Sequence, residues 1–491
     1  MKKILKYSWL LGLWLLTSCS NWLNVEPFDQ VSEEQQYSKA EGFYNQLNGI
    51  YKSMASAELY GKELTWGFLD VLAQYYDMSG STSTKNYGYI NGAELDYENI
   101  KVKPYFDTFW ESMYTAIANC NNLIQNTVVV DSNIFPMREM ERRCIEGEAR
   151  ALRAMLHFDL LRMYAPAPRV DSTGKYLAYV DYFPTHIPLA ISTNEYLDKV
   201  YKDLLDAHTL TMSYDTLYSN SISQNSYRLE LSNLGALSSF WQNRGYRLHH
   251  YAIKGLLARV ALYKEDKAEA LKWASDVLDY YSWFQFNDKY DIVDDGNMKL
   301  YGDVIFALYN NNLTMYEEQE NTTNSYLSLY DDETLFSDEE RDIRRYQYAK
   351  DEREQISDNK NKIGGSIPIK YKKIDAGIRK AKACNAMIPM IRMSEMCYIL
   401  AECYYEKEEK KAIQWLDYIR SSRGCRNASP SVGTQAKFNE LILKDFRREF
   451  YGEGQLFFFY KRLGLDAIRD SKTKIEFGSK FVFPIPESND I

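Results

Sequence analysis

The chain has 491 residues, 45% of them hydrophobic and 26% charged, a composition that supplies one large core or two domains and excludes a disordered polymer. Its 59 basic and 68 acidic side chains leave a formal charge of −9 and a pI near 5.4. That balance disfavours a nucleic-acid partner, because phosphate binding needs clustered cations.

At the N-terminus Lys2, Lys3 and Lys6 precede the apolar run Trp9–Leu16, which leads into Thr17, Ser18 and Cys19. A membrane span needs about 20 apolar residues; this run is far shorter and reads as a cleaved secretory signal. Leu16-Thr17-Ser18-Cys19 resembles a bacterial lipobox, cut just before a cysteine whose thiol then carries lipid. The expectation is a signal peptide over 1–18, a lipidated tether over 19–34 anchored through Cys19, and one domain over 35–491. Several acyl chains hold a protein to a bilayer durably, each buried methylene contributing about 0.8 kcal/mol.

Helical periodicity follows in long blocks. Phe106, Trp110, Met113, Ile117, Cys120 and Ile124 keep three-and-four spacing in 103–127, as do Ile145, Ala149, Leu152, Leu156, Leu160 and Met163 in 142–164. Residues 35–56 and 194–212 obey the same logic, the latter behind the N-cap residues Ser192, Thr193 and Asn194. Two stretches look like helix–turn–helix repeat units. Leu257, Ala258, Ala261, Ala270, Ala274 and Val277 fill the small and apolar places of a tetratricopeptide unit in 248–282; Leu400, Ala401, Tyr404, Ala412, Leu416 and Ile419 do nearly so in 390–423.

Between these blocks, 57–102, 165–193, 213–247 and 283–388 are broken by Gly, Pro, Asn, Ser and Asp. Long irregular insertions in a compact protein are usually functional or disordered, and disordered segments avoid aromatics. The insertions at 57–102 and 283–330 are rich in Trp and Tyr, so they read as ordered. The charged stretch 331–362 reads as a solvated helix or exposed loop. The six cysteines after Cys19 are scattered without CxxC spacing; they read as buried small hydrophobes, leaving room for one late disulfide.

Several segments together resemble the SusD/RagB family of outer-membrane nutrient-binding lipoproteins of Bacteroidetes. Cys19 followed by Trp22-Leu23-Asn24-Val25-Glu26-Pro27 looks like that family's mature start, and Trp110, Tyr114, Ile117 and Asn121 fall at its spacing on an early helix. Glu148-Ala149-Arg150-Ala151-Leu152-Arg153-Ala154, continuing through Phe158-Asp159-Leu160 to Tyr164 and Pro166, resembles its most recognisable helix. Ile391-Arg392-Met393-Ser394-Glu395, Ala401-Glu402, Ile419-Arg420, Arg447-Arg448-Glu449-Phe450, Glu453-Gly454, Arg462 and Pro484-Ile485-Pro486 match its C-terminal pattern in order. Gln455 stands where the pattern has arginine, and Phe459-Tyr460 replace Asp-Leu, the marks of a divergent branch. The resemblance implies an all-α scaffold of about four tetratricopeptide-like helix pairs, near 35–127, 142–212, 248–282 and 390–423, with inserted loops 57–102 and 283–388 carrying the ligand face. It also implies a SusC-like TonB-dependent transporter as partner, cell-surface exposure and attachment to the outer membrane by lipid.

Catalytic signatures are absent: the sequence has no GxSxG, HExxH or P-loop, and no cofactor is expected. His249 and His250 are adjacent and point apart on a helix, while His157 lies alone among Leu and Met. The one calcium candidate, Asp291, Asp294 and Asp295 before Gly296, lacks the EF-hand spacing and its terminal glutamate. The charged residues of Glu148–Arg153 read as ion pairs at helical spacing on a packed helix pair, and Arg392 with Glu395 as a lock between neighbouring helices.

The unusual number is 41 tyrosines. A ring with a hydroxyl suits a ligand that is half apolar and half polar, as a sugar is; the blander reading is core filling. The candidate binding residues are Trp66, Tyr75, Tyr87, Tyr89, Trp283 and Tyr309, with Asp77, Asn86 and Asn91 supplying hydrogen bonds. The function expected is capture of an oligosaccharide without chemistry and its delivery to the transporter. Peptide or glycopeptide binding is the alternative on the same scaffold, followed by an assembly scaffold and an anchored glycoside hydrolase, which would need two carboxylates about 5–10 Å apart across a cleft.

Overall fold

The computed structural model describes residues 32–78, 87–184, 188–232, 238–287, 292, 297–313, 328–329, 335–339, 341–350, 366–371, 381–469 and 473–487. The tether with Cys19 and the Asp291–Gly296 turn lie outside the described residues, apart from Ile292.

Eight helices form the scaffold: α1 (Ala40–Met54), α2 (Lys103–Val129), α3 (Arg138–Tyr164), α4 (Thr193–Leu217), α5 (His250–Tyr263), α6 (Lys267–Leu278), α7 (Met393–Tyr405) and α8 (Glu409–Ser422). Each packs on the next, α1 on α2 through to α7 on α8. The four pairs therefore stack as one continuous array, although more than a hundred residues separate α6 from α7 in sequence. The helix starts follow from local chemistry. Pro104 occupies the first turn of α2, where its missing N–H is no loss. Ser192 and Glu195 form a reciprocal capping box on α4, and Asp266 accepts the Glu269 N–H at the start of α6.

The inner helices α3, α5 and α7 are buried almost throughout. Their partners bury one stripe each, for example Ala412, Leu416 and Ile419 on α8. Close approach of α3 to α4 depends on Gly147: a Cβ there would lie 2.7 Å from Thr211 Cγ2 and 3.0 Å from the Ala207 carbonyl.

On the far side of the inner helices lies the insertion. A strand pair, β1 (Val304–Tyr309) with β2 (Met387–Arg392), is antiparallel and almost wholly buried; it packs against α5 and runs directly into α7. Two C-terminal helices, α9 (Gln435–Glu449) and α10 (Leu456–Leu463), complete the packing, and Gly464 at φ 64° ends α10 in the left-handed conformation that glycine adopts without strain.

Several expectations change. The 57–102 insertion is not irregular throughout: tight turns over 55–67 lead into short helices Phe68–Leu72 and Tyr87–Ala93. The charged stretch 331–362 is not a solvated loop where it is described. Asp342 and Arg344 are buried, and Arg344 reaches Asp445 at 2.9 Å and Glu449 at 3.1 Å. Their charges are tolerated because each is paired; an unpaired charge in such a place would be expelled. Arg392 and Glu395 do not act as one lock. Arg392 ends β2 and pairs with Asp303 at 3.0 Å and Glu453 at 2.7 Å, whereas Glu395 pairs with Arg259 of α5 at 2.6 Å. The late disulfide does not form, since all six described cysteines are free and buried. No described helix is long and apolar enough to cross a membrane.

Candidate ligand-binding site

The largest cleft among the described residues has a volume of about 600 Å³ and is bounded by three elements. One wall is α1 and its C-cap, which present Asn48, Tyr51, Lys52 and Ala55 at three- and four-residue spacing. The second is the turn-rich segment 239–247, contributing Phe240, Gln242, Asn243, Tyr246 and Arg247. The third is the end of β1, where Tyr309 is followed by Asn310, Asn311 and Asn312.

Asn310 fastens the third wall to the first. Its side-chain amide donates to the Ala55 carbonyl at 2.7 Å, its backbone N–H to Ala386 at 2.8 Å, and its Oδ1 accepts from the Asn312 N–H at 2.9 Å. Tyr246 is anchored by its hydroxyl to the Leu229 carbonyl at 3.0 Å and meets Tyr309 edge to face, with ring centroids 5.2 Å apart. Tyr309 is thereby oriented while 38% of it stays exposed.

Beneath the floor lies a buried charge group. Arg247 donates to Glu148 at 3.0 Å and to Asn48 Oδ1 at 2.7 Å, and its guanidinium lies 4.0 Å over the Phe240 ring. The Tyr51 hydroxyl also donates to Glu148, at 2.9 Å, and accepts from the Leu248 N–H. Arg244 closes the group by pairing with Glu148 and with Asp215. Burial alone would raise the pKa of Glu148, but Arg244 and Arg247 hold it below the usual carboxylate range, so it remains an anion. The Tyr51 hydroxyl is pushed far above its usual value by burial and by Glu148 and stays a donor. The ion pairs at helical spacing expected of Glu148 are thus replaced by partners from 244 and 247, and Glu148 sets the position of an arginine in the cleft.

No acidic residue is among the described residues that line the cleft, so they provide no carboxylate pair for hydrolysis. No group of three or more metal-ligating side chains occurs among the described residues.

The aromatic candidates divide. Tyr309 lies in the cleft. Trp66, Tyr75 and Tyr89 are buried at 5%, 1% and 3% exposure, which corrects the expectation of open platforms. Trp66 donates to the Gly61 carbonyl, Tyr75 to the Arg447 carbonyl and Tyr89 to Glu63, and Lys62 lies over the Trp66 and Tyr89 rings at 5.5 and 5.6 Å. Trp283 is half-buried against Tyr251 and Tyr280. Tyr87 is 44% exposed but lies on the short helix Tyr87–Ala93, where the Asn91 side chain donates to its carbonyl. Asp77 sits on a two-residue strand paired with Ser328–Leu329, and Asn86 lies outside the described residues. Tyr309 apart, none of these lines the large cleft.

A second cleft of about 340 Å³ lies between the turns at 57–63 and the start of α2, lined by Glu58, Lys62, Glu63 and Tyr105 among others. It carries fewer aromatic and amide groups than the first.

The fold and its cleft have relatives among known proteins. The SusD family model matches residues 309–482, and a second model, described as starch-binding associating with the outer membrane, matches residues 21–226. Solved structures of similar fold include a sugar-binding protein from Bacteroides vulgatus, with TM-score 0.67 and 20% identity over 91% of this chain and 95% of that one. A SusD-like carbohydrate-binding protein from the same organism has TM-score 0.67 and 17% identity over 92% and 95%. A laminarin-binding SusD-like protein has TM-score 0.59 and 15% identity over 87% and 92%. At these identities the likeness establishes the fold. No curated protein matches the sequence.

Proposed function

Because the chain belongs to the SusD/RagB family, whose members bind carbohydrate rather than transform it, we propose that it captures an oligosaccharide in the cleft between α1, segment 239–247 and the end of β1. It does so at the cell surface, tethered through a lipid on Cys19, and hands the ligand to a TonB-dependent transporter. The observation that carries the reading is the lining: an oriented, part-exposed Tyr309 ring beside Asn243, Asn310, Asn311 and Asn312. A flat ring takes the C–H face of a pyranose, and carboxamides donate to and accept from its hydroxyls at once. The laminarin-binding and carbohydrate-binding proteins of similar fold support a saccharide as ligand, and the description of the N-terminal family model supports the membrane location.

Calorimetric titration of the detergent-solubilised protein with oligosaccharide and peptide panels tests this. Heat with a glycan and no product is expected; heat with peptides alone, or turnover of the glycan, overturns it. Labelled palmitate is expected to enter the wild type and not Cys19→Ala. Co-purification from solubilised membranes is expected to bring the transporter.

A further inference from the structure

The charge of the cleft runs against that of the chain. Acidic residues number 68 in 491, yet none is among the described residues lining the cleft, while two cations, Lys52 and Arg247, are. These cations are not equivalent. Arg247 is buried and already balanced by Glu148, within a group whose two arginines, 244 and 247, face two carboxylates, Glu148 and Asp215. Lys52 is exposed on the last turn of α1, and no described residue hydrogen-bonds or pairs with its ammonium. The C-terminal end of α1 offers it a partial charge of about −0.5, which leaves a net positive site. Around it stand carboxamides, Asn48 and Asn311 among them, whose N–H groups can donate to an anion.

Resting on the glycan-binding reading above, we infer that the ligand of this cleft is an anionic oligosaccharide, carrying carboxylate or sulfate, with its charged group docked beside Lys52. A neutral glycan leaves that charge uncompensated. An acidic one meets it without facing a carboxylate among the described lining residues.

The test uses the full-length protein in detergent and matched pairs that differ in charge alone: oligogalacturonides against their methyl esters, and sulfated against desulfated carrageenan oligosaccharides, with laminarin and starch oligosaccharides as neutral ligands. The expected result is that an acidic member of one pair binds at least about tenfold tighter than its neutral partner, that added salt erodes the difference, and that Lys52→Gln removes it without shifting thermal unfolding. The two pairs tell carboxylate from sulfate. A neutral glycan bound as tightly as any acidic one, or a charge preference that survives Lys52→Gln, overturns the inference. If that neutral binding is lost in Tyr309→Ala, the cleft remains the glycan site and only its charge selectivity fails. Absence of binding to every glycan overturns both readings.

Discussion

Tyr309 reaches the cleft with its ring braced by Tyr246 on one side and backed by the Asn310 bridge to α1. A braced ring loses little rotamer freedom on binding, so truncation should act on affinity more than on folding. Tyr309→Ala is expected to weaken glycan binding by at least about tenfold with helicity unchanged by circular dichroism; unaltered affinity removes this ring from the site. Glu148 tests the layer beneath. It balances Arg244 and Arg247 at once, and Glu148→Gln leaves two buried guanidiniums short of an anion. The expected loss in chemical denaturation is about 3–5 kcal/mol. Loss of binding alone, with no loss of stability, would place Glu148 in contact with ligand. At this scale the site is partly legible in the sequence. Tyr309, ahead of three consecutive asparagines, carries a visible signal, a turn-forming polar run after an apolar strand. Trp66, Tyr75 and Tyr89 sit in an equally aromatic stretch, and nothing in composition distinguishes a ring packed on its neighbours from one facing solvent. Arg247 and Lys52 carry no such signal, because their relation to Glu148 and to Tyr309 exists only after about a hundred or more residues of chain have folded between them.

At the scale of elements, the packed crossing of α3 on α4 and the open flank of α1 make a matched pair of tests. Gly147→Val inserts atoms where a Cβ alone already lies 2.7 Å from Thr211 Cγ2 and 2.9 Å from Leu210 Cβ; a loss of about 1–3 kcal/mol is expected. A Cβ added at Gly49 on α1 would meet nothing within 4 Å, so Gly49→Ala is expected to raise stability by about 0.5–1 kcal/mol through reduced freedom of the unfolded chain. Equal effects at the two sites would show that helix propensity and not close approach governs this array. The helices themselves are legible from periodicity, because amphipathic stripes such as Phe43, Leu47, Ile50 and Met54 record burial in local spacing. The continuity of the array across the insertion is not, nor is the membership of Asp342 and Arg344 in a buried ion network, since pairing partners on distant segments leave no periodic trace.

The molecule as a whole carries buried histidines whose titration sets its acid limit. Burial pushes His157 down to about 3, His208 to about 4 and His250 to about 3, and His249 well below its usual value. Below about pH 6.5 the unfolded chain binds protons at these sites that the folded chain refuses, so stability falls as pH drops from there toward 4. Glu148, Asp203, Asp445 and Glu449 are held below the usual carboxylate range by paired arginines despite burial. Their contribution is lost at lower pH still, in the same direction. Asp70 and Asp215, raised chiefly by burial, act oppositely and soften the slope. The thermal midpoint is expected to fall steadily between about pH 6.5 and pH 4; a flat profile would mean the histidines are hydrated in solution.

The whole-molecule claim is that a rigid helical array holds one aromatic, amide-rich cleft open for a saccharide. A crystal structure of the protein soaked with an oligosaccharide that binds it in solution tests this most directly. A pyranose ring is expected in van der Waals contact with Tyr309, at about 4 Å, with its hydroxyls on Asn243 and the Asn310–Asn312 run. Sugar density in the smaller cleft beside Lys62 and Tyr105, with the larger one holding only solvent, would contradict it.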